Sequence, residues 1–165
     1  QADIPQIGHS IELRICAEDA AADFRPAIGD ILLLDEPAGD GVRVDSGILA
    51  GGKVTTDFDP MLSKLIIYGA DRAEAIARAR QAVRNYVILG VTTNTGYLDA
   101  ILAHPRFASG DVSTGFLAEE AETLTTPGDD VSDLLMAAAA LSDERLVAEV
   151  MQIPALHRKM GGWRN

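Results

Sequence analysis

Among the residues able to do chemistry, Arg43 stands out, within Gly39-Asp40-Gly41-Val42-Arg43-Val44-Asp45-Ser46. On a strand, successive side chains point to opposite faces, so Val42 and Val44 share one face and Arg43 and Asp45 the other. If Asp45 orients the guanidinium, the remaining donors of its planar fork can bind a carboxylate-shaped anion through two bonds. The glycines at 39 and 41 let the backbone come close to something with no side chain in the way. The plainer reading is an exposed Arg–Asp pair on a sheet edge, of little energetic weight. Spacing alone favours that plainer reading, because short Arg-x-Asp strands are common.

Other reactive side chains carry weaker signals. Lys64 lies among Leu65, Ile66 and Ile67, and two readings stand level: a charge carried into a cleft, or an ammonium snorkelling from an edge. Arg72, Arg78, Arg80 and Arg84 recur along one helix and could form an anion-binding face. More often such a row is solvated and makes neighbour pairs of about 0.2–0.5 kcal/mol each, and this reading leads. Cys16, the single cysteine, reads as a tucked small side chain, not a nucleophile. His9, His104 and His157 have no partner at metal-ligand spacing, and no metal site is expected. His104, before Pro105 at a helix end, is expected to interact with terminal carbonyls. Trp163, between glycine and Arg164, is either a partner-surface anchor or a packing remnant. Neither a nucleophile elbow, a phosphate-cradling Gly-x-x-x-x-Gly-Lys loop nor a Gly-x-Gly-x-x-Gly turn occurs. These residues alone make no complete catalytic set.

The elements that must position these groups follow from periodicity. Ser10 to Glu18 alternates, with Ile11, Leu13, Ile15 and Ala17 on one face and Glu12, Arg14 and Glu18 on the other, as in a half-buried strand. Further strands are expected at Ile31–Leu34, Val42–Asp45 and Leu62–Tyr68, punctuated by glycine turns. Short strands in succession without intervening helices imply an antiparallel sheet.

The period then changes. Asp71 and Glu74 have capping-box spacing, and Ala73, Ile76, Ala77, Val83 and Val87 form a helical stripe. Residues 88–91 read as a connector, and Asn94 as the cap of a second helix bearing Leu98, Ile101 and Leu102. A short helix is expected near Phe116–Glu122, then a linker over Thr123–Asp130 and an alanine-rich helical stretch, Val131–Met151. The expected architecture is α+β: a mainly antiparallel sheet with a packed helical hairpin, plus a C-terminal helical extension. Domain limits fall at 1–122 and 123–165.

Composition narrows the partners. With 165 residues and 47% hydrophobic content the chain can bury a core. A net charge of −11 repels nucleic-acid phosphates and anionic lipid, so neither nucleic acid nor membrane is an expected partner. One cysteine forbids an intrachain disulfide and fits a reducing compartment. The first residue is Gln1, which reads as the start of a processed product or of a piece of something longer.

Taken together and in order, six segments resemble a known family: GHSIELRICAED; Phe24-x-Pro26-x-x-Gly29; GVRVDSGI; DFDPMLSKLIIYG with Asp71-Arg72; ILGVTTNTGYL; and HPRFASGDVSTGFL. Over His9 to Glu120 the chain resembles the C-terminal domain of biotin carboxylase. The likeness is to the α subunits of acyl-CoA carboxylases of the acetyl-, propionyl- and methylcrotonyl-CoA type. The terminal Gly-Gly-Trp-Arg-Asn resembles the passage that leads toward a region contacting the carboxyltransferase β subunit.

The resemblance implies an ATP-dependent ligase. Bicarbonate is phosphorylated by ATP, and N1′ of biotin takes up the resulting carbon dioxide, with negative charge developing on the ureido oxygen. It implies that Arg43 contacts bicarbonate and stabilises that oxygen, as an oxyanion hole does. Asp45 and Lys64 take supporting places, and Thr114 falls against the adenine of ATP. Implied cofactors are biotin, ATP and Mg or Mn. Implied partners are the rest of the biotin carboxylase subunit, the biotin carrier domain, the carboxyltransferase β subunit and bicarbonate.

The implied setting is bacterial cytoplasm, with the mitochondrial matrix as the alternative. Phe58 stands where the family favours tyrosine, and Ala20 where it favours proline. The 165 residues hold no glycine-rich lid, no metal-binding glutamate pair and no Met-Lys-Met biotin site, since Lys159 lies in Arg-Lys-Met. By itself this stretch is therefore expected to be inactive, one wall of an active site. The alternatives are a non-catalytic interaction module of the same shape or, among enzymes, a pyruvate or urea carboxylase.

Overall fold

The computed structural model describes residue 5 and residues 7–125. The expected helical stretch 131–151, the Gly-Gly-Trp-Arg-Asn end, His157 and Trp163 lie outside the described residues.

In chain order the strands are β1 His9–Cys16, β2 Glu18–Asp19, β3 Arg25–Pro26, β4 Gly29–Asp30, β5 Leu33–Asp35, β6 Val42–Ser46, β7 Lys53–Val54, β8 Met61–Gly69 and β9 Val87–Leu89. The helices are α1 Arg72–Asn85, α2 Thr95–Ala103, α3 Pro105–Ser109, α4 Phe116–Glu119 and α5 Ala121–Leu124. The central sheet runs β1-β8-β6 and is antiparallel throughout, with β8 in the middle. Three two-stranded ladders, β2-β3, β4-β7 and β5-β9, surround it. The described residues thus form the α+β arrangement of antiparallel strands and a helical hairpin.

Alternation decides which face of the sheet is covered. Ile11, Leu13 and Ile15 of β1, with Leu65 and Ile67 of β8, turn to one side and are buried. Helix α1 packs there through Ala75, Ile76, Ala79, Ala82 and Val83. The sequence stripe had this face partly out of phase, since Ala73 and Ala77 are exposed. Alanine fits either face, and the sheet selects the alanines that allow α1 close approach. Truncating the fully buried Leu65 to alanine costs about 2–5 kcal/mol.

The helix begins as a capping box. Asp71 Oδ1 accepts from the Glu74 amide at 2.8 Å, while Glu74 Oε2 accepts from the Ala70 amide at 2.6 Å.

Three expectations change. The strand expected at Ile31–Leu34 is divided, because the chain changes partner within it. Ile31 exchanges backbone bonds with Gly51 and Gly52, whereas the Leu32 amide donates to Leu89 O at 2.8 Å. Residues 88–91 are therefore no mere connector: Val87–Leu89 is a strand, paired with Leu33–Asp35. Asn94 stands at the start of α2 but its side chain does not cap it. It accepts from the Cys16 amide at 2.9 Å and donates to Arg14 O at 3.0 Å, tying α2 to the end of β1.

His104 also differs in detail. It caps the following helix, α3, with Nδ1 accepting from the Arg106 amide at 3.3 Å. Leu124 of α5 is buried, so the packed unit runs to that residue.

Candidate functional site

Helix α1 covers one face of the central sheet and leaves the other open. Register puts two cross-strand rows on the open face: Glu12, Ile66 and Arg43 in one, Arg14, Lys64 and Asp45 in the next. Arg43 and Asp45 sit on β6, which within the central sheet pairs only with β8. The Gly39–Gly41 turn brings β6 there. Gly41 has φ +71°, and an added Cβ would lie 2.6 Å from Tyr68 O and against the Arg78 guanidinium. The close approach that Gly41 permits is thus internal, to β8 and α1. No atom lies near the corresponding Gly39 position. For Gly41 this corrects the reading as a route for a ligand, while the space beside Gly39 is open among the described residues.

The Arg43–Asp45 pair forms as the spacing predicts. Arg43 Nε donates to Asp45 Oδ1 at 2.8 Å and Nη2 to Oδ2 at 2.9 Å. A guanidinium carries five N–H donors, and Asp45 occupies one side edge of the fork. The Nη1–Nη2 edge has no protein acceptor among the described residues. The arginine side chain is 71% exposed and the aspartate 42%. The bond to Arg43 draws the Asp45 carboxyl below its usual range, with Lys64 adding a smaller pull. The same bond raises the Arg43 pKa further. The cation is permanently charged, its plane is set from one side, and its end edge is open to an incoming anion.

Lys64 is half-buried in β8, opposite Asp45, and makes no direct hydrogen bond among the described residues. It borders a shallow cavity of about 280 Å³ lined also by Asp45, Ser46, Gly47, Met61 and Ser63. Of its two readings, the cleft edge describes its place. Thr114 stands apart, exposed on the loop between α3 and α4, and takes no part in lining this cavity. That loop is gripped by Arg106, whose Nε donates to Asp111 O at 3.3 Å and whose Nη1 donates to Glu119 at 2.8 Å and Glu120 at 2.9 Å.

Other arginines differ from Arg43 in where they stand: Arg84 is also held side-on by one carboxylate, but on α1, and Arg14 on the open face donates only through Nε, to Glu12 at 3.3 Å. Arg78 pairs with Glu74 at 2.7 Å, while Arg80 and Arg84 share Asp99, each at 2.9 Å. Arg72 donates to the carbonyls of Phe107 and Ala108, meets His9, and lies 4.8 Å over the Phe107 ring. The row expected to form pairs is a set of ties between α1 and its neighbours.

Cys16 is half-buried; burial, then Glu18 and Asp59, push its thiol pKa up. No group of three or more His, Cys, Asp or Glu able to hold a metal occurs among the described residues. No described helix is long and apolar enough to cross a membrane.

Sequence reasoning passed over Tyr86, a buried phenol at the end of α1. Its hydroxyl joins Ser63 Oγ at 2.8 Å and donates to Glu36 Oε1 at 3.2 Å. The available signal was a tyrosine at the close of an apolar helix, since a buried phenol needs a polar partner.

Comparison with known proteins gives a consistent result. The family model described as the biotin carboxylase C-terminal domain matches residues 12–119. The mitochondrial propionyl-CoA carboxylase alpha chain of Mus musculus is 47% identical over 121 residues, covering 72% of this chain and 17% of that protein. The mitochondrial methylcrotonoyl-CoA carboxylase subunit alpha of Dictyostelium discoideum is 38% identical over 146 residues, covering 88% of this chain and 21% of that protein. The chain spans about a fifth of the length of these curated relatives.

Among solved structures, a Hydrogenobacter thermophilus 2-oxoglutarate carboxylase biotin carboxylase domain, in complex with MgADP, ADP and bicarbonate, superposes with a TM-score of 0.73 at 34% identity. That match covers 78% of this chain and 28% of the other. Antiparallel sheet, packed hairpin and matched sequence agree: the chain belongs to the biotin carboxylase C-terminal domain family.

Proposed function

We propose that this chain supplies one wall of the active site of an ATP-dependent biotin carboxylase, within the α subunit of an acyl-CoA carboxylase. The observation that carries the reading is the Arg43 fork, held side-on by Asp45 with its end edge exposed. An oriented, permanently charged planar donor suits bicarbonate, a small planar oxyanion, through two parallel bonds. Biotin, when bound, supplies the ureido nitrogen that accepts the carboxyl group. Arg43 then faces the negative charge developing on the ureido oxygen and stabilises it without reorienting, because Asp45 has already fixed the plane. Lys64 adds positive potential beside Asp45 at the cavity rim and takes a supporting place. Thr114 lies on an exposed loop, and we assign it to contact with the adenine of ATP.

The described residues hold no set of metal ligands, so a nucleotide-bound Mg or Mn would be held by another part of the subunit. We extend the carboxylase domain from the expected limit of 122 to Leu124, the buried end of α5, and assign the residues after it to a linker and helical extension leading toward the carboxyltransferase-contacting region. The implied partners are the remainder of the subunit, the biotin carrier domain and the carboxyltransferase β subunit. The acyl-CoA class is supported by the two curated relatives, both acyl-CoA carboxylase α chains. The setting we propose is the bacterial cytoplasm, with the mitochondrial matrix as the alternative, the two curated relatives being mitochondrial.

The test is Arg43→Ala in the complete subunit, assayed for ATP-dependent carboxylation of free biotin. Removing one preoriented oxyanion donor lowers kcat by about 10²–10³-fold. Undiminished carboxylation would overturn the assignment.

A further inference from the structure

Arg43 sits on a strand with one sheet neighbour, yet its role requires a fixed aim. The ladder to β8 and the Asp45 bond fix the strand and the plane of the fork. The ladder continues to the end of β6, where the Gly47 amide donates to Leu62 O at 2.9 Å, so the aim of β6 is set by whatever fixes β8 there. Beneath that end the structure places a polar group inside the core. Ser46 of β6 and Ser63 of β8 are register partners on the inner face, opposite in direction to Asp45 and Lys64. Ser63 is buried, and its hydroxyl meets the Tyr86 phenol at 2.8 Å. The same phenol donates to Glu36 Oε1 at 3.2 Å, on the segment just past β5.

One hydroxyl therefore ties together the central strand, the close of α1 and the Glu36 segment, and the Ser63–Ser46 register carries that tie to the end of β6. Tyr86 is 5% exposed, so its ring is immobilised by packing. A rigid ring carrying a single polar point amid apolar residues defines a position well, because the hydroxyl loses its partners if any of these segments shifts.

We infer that Tyr86 is a positioning residue for Arg43: its hydroxyl fixes β8 at Ser63, the register partner of Ser46, and so holds β6 and its Asp45–Arg43 pair at the angle catalysis requires. This rests on the reading of Arg43 above. Tyr86 touches no substrate. Its effect reaches the reacting atoms through the strand.

The experiment uses the complete subunit with Tyr86→Phe, which keeps the ring and removes the hydroxyl. A displacement of about 1 Å at a catalytic group costs up to about 10²-fold. Loosening one of several restraints is expected to lower kcat for free biotin about 5-fold, with KM for ATP unchanged. The same substitution is then made in an Asp45→Asn background, where the fork is already loose. There the loss shrinks below about 2-fold, because residues acting through one group are not additive. Ser63→Ala, which removes the other half of the bond with little change of volume, shows the same pattern and covers the case in which Tyr86→Phe folds poorly.

Equal losses in both backgrounds, or no loss in kcat, would overturn the proposal and leave Tyr86 a stabilising core residue. That failure is distinct from failure of the Arg43 assignment, which Arg43→Ala decides by itself.

Discussion

Arg43 and Arg72 are the same residue type put to opposite uses. Arg72 spends its fork on the carbonyls that end α3, on His9 and on the face of Phe107. Arg43 meets one carboxylate along one edge and presents the other edge to solvent. Charge and exposure alone do not separate such groups, because Arg84 is also exposed and yet is tied to Asp99. The donor fork separates Arg43 from Arg72, and place separates it from Arg84: Arg43 stands on the open face of the central sheet beside Lys64, whereas Arg84 ties α1 to Asp99 of α2. A fork used up on several sides, as at Arg72, is a fastener; one held from a single side can serve as an instrument only where it faces an open surface.

The sharpest way to break this contrast is to delete each arginine in the complete subunit and measure activity and stability together. Arg43→Ala loses about 10²–10³-fold in kcat, and its urea midpoint stays near wild type. Arg72→Ala reverses the pattern: about 1–3 kcal/mol of stability is lost as carbonyls of α3 lose a charged donor, while the kcat of the folded fraction is kept. If both variants lost activity in proportion to stability, the contrast would fail.

Asp45→Asn sharpens it. The amide keeps the shape of the carboxylate but offers one acceptor oxygen where Arg43 has two, so the fork loses its orientation. We expect kcat for biotin carboxylation to fall between about 10- and 10²-fold with little change in the melting temperature. An unchanged kcat would show that Arg43 needs no orienting partner.

On the helical side, Asp99 tests the fasteners by pH. Burial alone would raise its carboxyl pKa, but hydrogen bonds from Arg80 and Arg84 outweigh burial and hold it below the usual range. A depressed folded-state pKa means the contribution is fully present above the ordinary carboxylate range. It is lost as pH falls through the depressed value. Acid titration followed by thermal melting should therefore show Asp99→Asn losing less stability than wild type between neutral and strongly acidic pH. The smallest effect expected is that of Asp71→Ala, which removes the bond to the Glu74 amide and costs about 1 kcal/mol in urea unfolding.

These two regions were unequally legible in the sequence. β1 and the cap of α1 were plain, since each is set by local alternation or by a spacing of a few residues. β9 and the division of residues 29–35 were hidden, because both depend on which distant strand supplies the partner. Asn94 misled for a related reason. Its position at a helix start suggested a cap, while its bonds run to Arg14 and Cys16 near the beginning of the chain. Tyr86 was missed because Ser63 and Glu36 are brought to it only by packing.

At Arg43 the geometry was legible and the role was not. An Arg-x-Asp strand forms the same side-on pair whether or not a ligand docks in front of it. Only the ordered resemblance of six segments gave the pair a function, and the structure adds that the edge needed for it is open.

The central claim is that openness, and it can be observed directly. A crystal structure of the complete subunit with bicarbonate and biotin should show the Nη1–Nη2 edge of Arg43 within hydrogen-bond distance of bicarbonate or the ureido oxygen, with Asp45 still on the side edge. An end edge turned away from both, or filled by a carboxylate of the same subunit, would contradict it.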